Sequence, residues 1–307
     1  MGQPPAPVTQ LQQVLNPLQA PGTNRRNYLV NGGFEVWQRG TGPFVTNGAY
    51  WADRWRADIG INPVTQVDFH RVSSTISLGA PSGYAASLGV NLGVGGLMRV
   101  GQQIMPGDTL DQLRGRVMTF SARVLPNTLN SIRPVVVGGV MGSTTNPFNT
   151  TNVAQTMWCT FTVPSNETSL YVGFEMANAS SVSQVDEAML VIGSVPADYF
   201  PEHPADEMAR CNRYYETWRP QPTLWSVAQY LTSGGSGWVS PYQFKAVKPV
   251  TPTISRIGTW TTSNCSAPSG NGTSLDGFGL TTGVTATGMF SFMPADANAY
   301  FAFEANP

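Results

Sequence analysis

Charged side chains are scarce in this sequence of 307 residues, at 11% of the total against about 25% in an ordinary soluble domain. Lysine occurs only at Lys245 and Lys248, and the formal net charge is -1. Nucleic-acid binding needs many basic groups to neutralise phosphates. Because the sequence has neither a basic stripe nor a basic tail, we do not expect nucleic acid as a partner.

Cysteine and histidine are also rare. Cys159, Cys211 and Cys265 are an odd number and widely spaced, so they allow at most one disulfide, and free buried thiols are the favoured interpretation. His70 and His203 lie too far apart in the sequence to form a His-rich metal site.

Long hydrophobic runs are missing too. No apolar run approaches the ~18 residues of a membrane span, so membrane insertion is not expected. The first 22 residues lack the basic and apolar regions of a secretory signal. If the protein acts outside a cell, we expect it to leave by another route, for example as part of a particle assembled in the cytoplasm.

Turn-forming residues are abundant, with 32 Gly and 24 Pro among recurring Thr, Ser, Asn and Val. Together with 41% hydrophobic residues, this composition indicates many short strands joined by turns. Residues 117–124 alternate, with Met118, Phe120, Ala122 and Val124 on one side and Val117, Thr119, Ser121 and Arg123 on the other. The sequence therefore predicts an all-β protein, with a jelly-roll β-sandwich over 27–200.

Three other segments flank this domain. Residues 1–26 are rich in Pro and Gln and could be a flexible tail or a docking peptide that becomes ordered on a larger assembly. Residues 201–220 predict a short connecting helix, in which Met208, Cys211, Tyr215 and Trp218 recur at helical spacing. That helix could pack between subunits or on its own jelly roll. Residues 221–307 predict a second, smaller β-sandwich domain.

Two blocks of sequence carry a family resemblance. The first is NYLVNGGFEVWQRG (27–40), which we interpret as a first strand rather than a binding loop, followed by Ala52-Asp53-Arg54-Trp55. The second is VDEAMLVIGSVPADYFPEHPADEMARCNRYYE, which contains Cys211-Asn212-Arg213-Tyr214-Tyr215. Together with KAVKPVTPTIS after them, these blocks resemble a jelly-roll module of phage receptor-binding proteins, which is similar to carbohydrate-binding jelly rolls.

The resemblance covers roughly residues 27–255 and implies a virion-attached fibre or spike protein. It implies a homo-oligomer, with a trimer favoured, that docks on capsid or tail proteins through residues 1–26. The expected partner is host cell-surface polysaccharide. The alternative is a purely structural capsid decoration or fibre-shaft component without its own ligand.

Glu35 and Asp186 are candidate metal ligands, since they lie on the first and last predicted strands. In the modules that the sequence resembles, carboxylates at such positions can share a structural Ca²⁺, an ion that prefers oxygen ligands. The alternative is that both are hydrogen-bonded to backbone or paired with Arg39 or Arg54.

The sequence favours a protein without catalytic activity. A glycosidase needs two carboxyls about 5–10 Å apart across a cleft, but the pair Asp186-Glu187 has adjacent residues that a strand points to opposite faces. The pair Asp206-Glu207 lies in the first turn of the predicted helix. The sequence also has no nucleophile elbow and no zinc motif.

We expect aromatic side chains to bind the sugar, because sugar rings stack on them while the sugar hydroxyls form hydrogen bonds with neighbouring polar side chains. For each ring the alternative is a place in a core or a subunit interface. Trp55 and Trp158 are expected to be core packing instead. The candidate carbohydrate-binding residues are Trp51, Tyr84, Trp225, Trp238, Tyr242 and Trp260.

Overall fold

The computed structural model describes residues 26–45, 48–58, 64–73, 83–92, 96–148, 151–177, 180–219, 229–296 and 298–306. The predicted docking segment lies outside these residues apart from Arg26. The chain divides into two compact units, Met1–Pro204 and Ala205–Pro307. Within the described ranges, no helix is both long enough and apolar enough to cross a membrane.

The first unit consists of two five-stranded antiparallel sheets, which we call sheet one (order β1-β4-β9-β6-β7) and sheet two (order β2-β3-β10-β5-β8). A single short helix, α1, spans Leu110–Leu113 among the described residues of this unit. The strands are β1 (Arg56–Asp58), β2 (Val64–Ser73), β3 (Tyr84–Leu92), β4 (Leu97–Ile104), β5 (Val117–Pro126), β6 (Ile132–Gly138), β7 (Gly142–Thr145), β8 (Gln155–Thr162), β9 (Leu170–Ala177) and β10 (Ser180–Ile192). An all-β fold built as a β-sandwich is therefore confirmed.

Alternation along the strands fills the space between the two sheets. Phe120 and Val124 of β5 and Val172 and Phe174 of β9 are fully buried there, as a period of two predicts. The intervening Thr119 is buried as well, because the chain leaving β10 crosses it and Gly193 O accepts a hydrogen bond from its Oγ1 at 2.7 Å.

The opening block forms no strand, so the predicted first strand is wrong. Residues 27–40 follow an irregular, mostly buried path. The backbone is left-handed at Asn31 (φ 57°) and Phe34 (φ 53°), a conformation that cannot extend into a regular strand. Leu29 and Phe34 are nonetheless fully buried in the core of the sandwich, so the block is structural, as we expected.

Side-chain amides supply the hydrogen bonds that a strand ladder would have supplied. Asn27 donates to Ala188 O at 2.9 Å and accepts from the N–H groups of Leu29 (3.1 Å) and Leu190 (2.9 Å). Asn31 does the same within the block, donating to Val36 O at 2.8 Å and accepting from Val36 N at 3.0 Å. These bonds satisfy part of the buried irregular backbone, and Gln102 accepts from Val30 N at 3.2 Å.

The second unit begins with helix α2 (Pro204–Asn212), which ends earlier than predicted. Tyr215 and Trp218 lie in strand β11, not on the helix, because Tyr215–Trp218 pairs with the last strand of the chain. The remaining strands are β12 (Gln229–Leu231), β13 (Ser236–Gln243), β14 (Thr253–Ile257), β15 (Trp260–Ser263), β16 (Ser269–Asn271), β17 (Gly277–Gly283), β18 (Gly288–Pro294) and β19 (Tyr300–Glu304).

These strands form three three-stranded sheets, β11-β19-β14, β12-β18-β15 and β13-β17-β16. They enclose a core rich in phenylalanine, which includes Phe278, Phe292 and Phe303. A fully buried ion pair joins Lys248 Nζ to Glu216 at 2.9 Å. All three cysteines are free and buried, as predicted.

Replacing Asn27 with alanine should destabilise the sandwich by about 2–6 kcal/mol, because Leu190 N and Ala188 O would lose their hydrogen bonds to its side chain and each such buried group costs roughly 1–3 kcal/mol. Urea unfolding measures the change. The exposed Asn152→Ala is the matched control, with an expected change within about 0.5 kcal/mol. Equal stability of the two variants would contradict the role of Asn27.

Candidate functional site

The outer side of sheet one carries a surface that we call the polar face, formed by Tyr50, Arg56, Asp58, Arg99, Arg133, Phe148, Tyr171 and Glu175. Strand alternation produces it. On β9, Val172, Phe174 and Met176 point into the core and are fully buried, so Tyr171 and Glu175 point to the opposite side.

Strand register brings four charged residues of the polar face into one row. Asp58 lies opposite Arg99, Arg99 opposite Glu175, and Glu175 opposite Arg133. Glu175 is only 2% exposed and accepts from Arg99 Nε at 3.0 Å and from Arg133 Nε at 2.9 Å. One carboxylate thus orients two arginines, and hydrogen bonds of this charged kind hold their planes in place.

Aromatic rings flank the charged row. The Arg133 guanidinium lies 4.2 Å from the centroid of the Phe148 ring, and the Arg39 guanidinium lies 5.4 Å from that of Tyr50. At these distances a cation is attracted to the ring face. The polar face therefore combines flat apolar rings with fixed hydrogen-bond donors.

Paired glycines shape the centre of the polar face. Gly101 of β4 lies directly opposite Gly173 of β9. A Cβ at Gly101 would come within 2.9 Å of the Tyr171 ring and 2.4 Å of Val172 O, so a larger residue would push the ring away. The glycines thus allow the Tyr171 ring to lie close against the sheet.

Two polar atoms near this centre are buried without a hydrogen-bond partner, Tyr171 Oη and Arg56 Nε. Burial raises the pKa of the Tyr171 phenol well above its usual value and Asp58 adds to the rise, while Arg99 and Arg56 oppose it. The phenol is therefore neutral at physiological pH and can both donate and accept. Buried polar atoms without partners are exceptions in native proteins.

A short hairpin places Phe148 beside this face. The turn between β6 and β7 is held by Glu167, whose carboxylate accepts from the N–H groups of Val140 (2.8 Å), Met141 (2.9 Å) and Thr168 (2.9 Å). Burial alone would raise the pKa of Glu167, but these backbone donors and Ser169 bring it below its usual value. Glu167 thus stabilises the turn that precedes β7, the strand that leads to Phe148.

The prediction that Trp51 is a binding platform was wrong. Its indole is fully buried in the core of the sandwich, stacked on Phe34 with ring centroids 5.8 Å apart, so no ring face meets solvent. Trp55 is fully buried as predicted. Trp158 was expected to be buried, but it is 48% exposed, because it points outward from the edge strand β8.

Of the other predicted aromatics, Tyr84 belongs to the first unit and the rest belong to the second. Tyr84 is 39% exposed and lies on sheet two, with the Arg71 guanidinium 4.4 Å from its ring centroid. In the second unit, Trp260 packs on Phe301 with centroids 5.2 Å apart. Trp225 lies outside the described residues, and of Trp238 the structure describes only the backbone, in β13.

Tyr242 is partly buried and packs against the core of the second unit. Its ring stacks on Phe303 with centroids 5.8 Å apart, and its hydroxyl donates to Glu216 at 2.7 Å. Burial, followed by this hydrogen bond, raises the pKa of Tyr242. Packing and the bond to Glu216 therefore fix the orientation of this side chain.

Glu35 and Asp186 lie in segments that the fold brings together. The opening block lies against the end of β10, where Gly32 O accepts from Ala188 N at 2.9 Å. Asp186 is fully buried and accepts from Glu187 N at 2.7 Å, while Glu35 is half-buried. No group of three or more His, Cys, Asp or Glu among the described residues is placed to hold a metal, so a calcium site here would need carbonyl or water ligands in addition.

No protein-family model matches the sequence, and no curated protein matches it significantly. Among solved structures, the chain is similar to a part described as the enzymatically active domain of tailspike protein 4 of bacteriophage CBA120, at 12% identity and a TM-score of 0.39, covering 54% of this chain and 21% of that one. It is also similar to TmCBM61 in complex with β-1,4-galactotriose, at 12% identity and a TM-score of 0.34, covering 55% and 99%.

A third similar structure is the CBM22-1 xylan-binding domain from Paenibacillus barcinonensis Xyn10C, at 14% identity and a TM-score of 0.34, covering 58% of this chain and 99% of that one. These identities and TM-scores are low. The β-sandwich is established by the strand pairing of the chain itself.

Glu167→Gln should destabilise the first unit by about 1–3 kcal/mol at pH 7, since an amide cannot accept all the backbone N–H groups that the carboxylate accepts. Because the folded pKa of Glu167 is lowered, its contribution is complete above the ordinary glutamate pKa of about 4.3. The contribution is lost as the pH falls through the folded value.

Unfolding free energies between pH 7 and pH 3 measure both effects. The variant should lose less stability on acidification than the wild type does. The exposed Glu202→Gln is the matched control. If the unfolding free energy of the variant falls with pH as much as that of the wild type, the charge of Glu167 does not stabilise the hairpin.

Proposed function

We propose that this protein binds a polysaccharide chain on the polar face of its first unit, without breaking a bond in it. The observation that carries the proposal is the pair of buried, unpartnered atoms Tyr171 Oη and Arg56 Nε. A sugar hydroxyl both donates and accepts hydrogen bonds, so it fits a site with a neutral phenol and a guanidinium N–H.

The flanking groups suit the same ligand. Sugar rings present C–H faces that pack on aromatic rings, and Phe148 and Tyr50 supply rings at the two sides of the charged row. Arg99 and Arg133 supply donors that Glu175 already orients. Oriented donors reduce the entropy lost when a ligand binds.

We propose a non-catalytic role because the central carboxylate is already committed. Both oxygens of Glu175 accept from arginines, and the side chain is 2% exposed. Glycosidic cleavage requires a pair of carboxyls in contact with the scissile bond. Glu175 acts as the orienting group for the two arginines instead.

We further propose that the protein is a virion-attached fibre or spike that adheres to host cell-surface polysaccharide. The support is the sequence resemblance of residues 27–40 and 185–216 to phage receptor-binding modules. Residues 1–26 would dock it on capsid or tail proteins. As a homo-oligomer, with a trimer favoured, it would gain avidity from several weak sites on one particle.

The test of the proposal is the pair of variants Tyr171→Phe and Tyr300→Phe. Removing a buried hydroxyl that has no partner should leave the free energy of unfolding unchanged or raise it. Binding should nevertheless weaken by about 2–13-fold, the equivalent of one hydrogen bond worth roughly 0.5–1.5 kcal/mol. Tyr300→Phe, in the second unit, should change neither quantity.

Binding is measured by co-sedimentation with host cells and with the same cells stripped of surface polysaccharide. Adhesion only to intact cells supports the proposal. If the assembled wild-type oligomer sediments with neither, the protein is a structural fibre or capsid component. Release of soluble sugar fragments over time would show a depolymerase instead.

We also propose the structural Ca²⁺ at Glu35 and Asp186. An ion there would tie the opening block to the last strand of the sandwich, so EDTA should lower the melting temperature and added Ca²⁺ should restore it. The variants Glu35→Gln and Asp186→Asn should abolish the response to EDTA. A wild-type melting temperature that is the same with EDTA and with Ca²⁺ would rule the ion out.

A further inference from the structure

Trp158 lies in a shallow groove at one edge of the sandwich. We call it the edge groove and define it by Pro134, Asn146, Pro147, Phe148, Gln155, Met157 and Trp158. Its volume is about 290 Å³, near the lower end of the range of about 300–1,000 Å³ for small-molecule sites. Trp158 is 48% exposed within it, an unusual placement for the largest side chain.

The exposure of Trp158 follows from its place in the fold. β8 is the last strand of sheet two, so one side of it has no neighbouring strand among the described residues. On the other side, the residue opposite Trp158 is Ser121, which is too small to cover an indole. The backbone is nevertheless anchored, because Asn146 Nδ2 donates to Trp158 O at 2.5 Å.

The chemistry of the edge groove selects an uncharged ligand. Its described lining contains no charged side chain. It offers the indole and the Phe148 ring as apolar surfaces, with the amides of Asn146 and Gln155 beside them. This combination suits the C–H face and the hydroxyls of a neutral sugar ring.

Phe148 belongs to both surfaces. It lines the edge groove with Trp158, and its ring lies 4.2 Å from the Arg133 guanidinium of the polar face. A linear ligand that leaves the charged row beside Arg133 therefore meets Phe148 and then the edge groove.

We propose that the edge groove is a second subsite, in which Trp158 stacks on a neutral pyranose ring further along the same polysaccharide chain. This inference rests on the proposed function. It implies that affinity rises with ligand length, because a short oligosaccharide occupies the polar face alone and a longer one also reaches Trp158.

The experiment uses the full chain and β-1,4-linked oligosaccharides of galactose, xylose and glucose with two to six units, measured by calorimetry. For the wild type, the affinity should rise with length. Trp158→Ala should lose about tenfold in affinity for the longest ligands, since aromatic stacking is worth up to roughly 1.5 kcal/mol, and should bind the shortest as the wild type does. Phe200→Ala, which removes another exposed ring (62%), is the matched control.

A second measurement is the protection of Trp158 from oxidation by N-bromosuccinimide, read by mass spectrometry of the wild type. The hexasaccharides should protect it and the disaccharides should not. Wild-type affinity for all lengths in Trp158→Ala, without protection, would overturn the subsite and leave the proposed function intact. If the wild type binds none of these sugars, two claims are contradicted. The edge groove is then not a subsite for a neutral pyranose ring, and the polar face does not bind neutral β-1,4-linked chains.

Discussion

A continuous chain of contacting aromatic rings holds the first unit together. Trp51 packs on Phe34, Phe34 on Trp55 at 4.6 Å between centroids, and Trp55 on Phe174 of sheet one at 6.1 Å. Phe174 in turn meets Phe120 of sheet two at 5.4 Å. The irregular opening block thereby joins both sheets, and the side chains of Asn27, Asn31 and Gln102 satisfy much of its buried backbone.

The polar face depends on this packed interior. Val100 of β4, Phe174 of β9 and Ile132 of β6 are buried in the core. The residues next to them along each strand must therefore point outward. Arg99, Glu175 and Arg133 then meet in one row because antiparallel register places them opposite one another. A shift of one residue in any strand would send that arginine or glutamate into the core, so the candidate site and the core are specified together.

The candidate site was the part of the structure that was hardest to predict from the sequence. Alternation along β9 places Tyr171 and Glu175 on one side. Nothing local shows that Arg99 and Arg133, 76 and 42 residues from Glu175, lie beside it. Trp51 and Trp158 show the same limit, since each has a large and a small sequence neighbour (Tyr50 and Ala52, Met157 and Cys159), yet one is fully buried and the other half exposed.

The sequence by itself determined the all-β class, the alternating strand at 117–124, and a limit of one disulfide among the three cysteines. These properties follow from alternation, turn residues and composition, which act over a few neighbouring residues. Only the tertiary structure decided that residues 27–40 are a buried irregular segment and that β11 belongs to the second unit. It also decided which aromatic rings reach the surface. Those outcomes depend on which distant segment packs on a given face of a strand. The pattern of residues within that strand does not identify the segment.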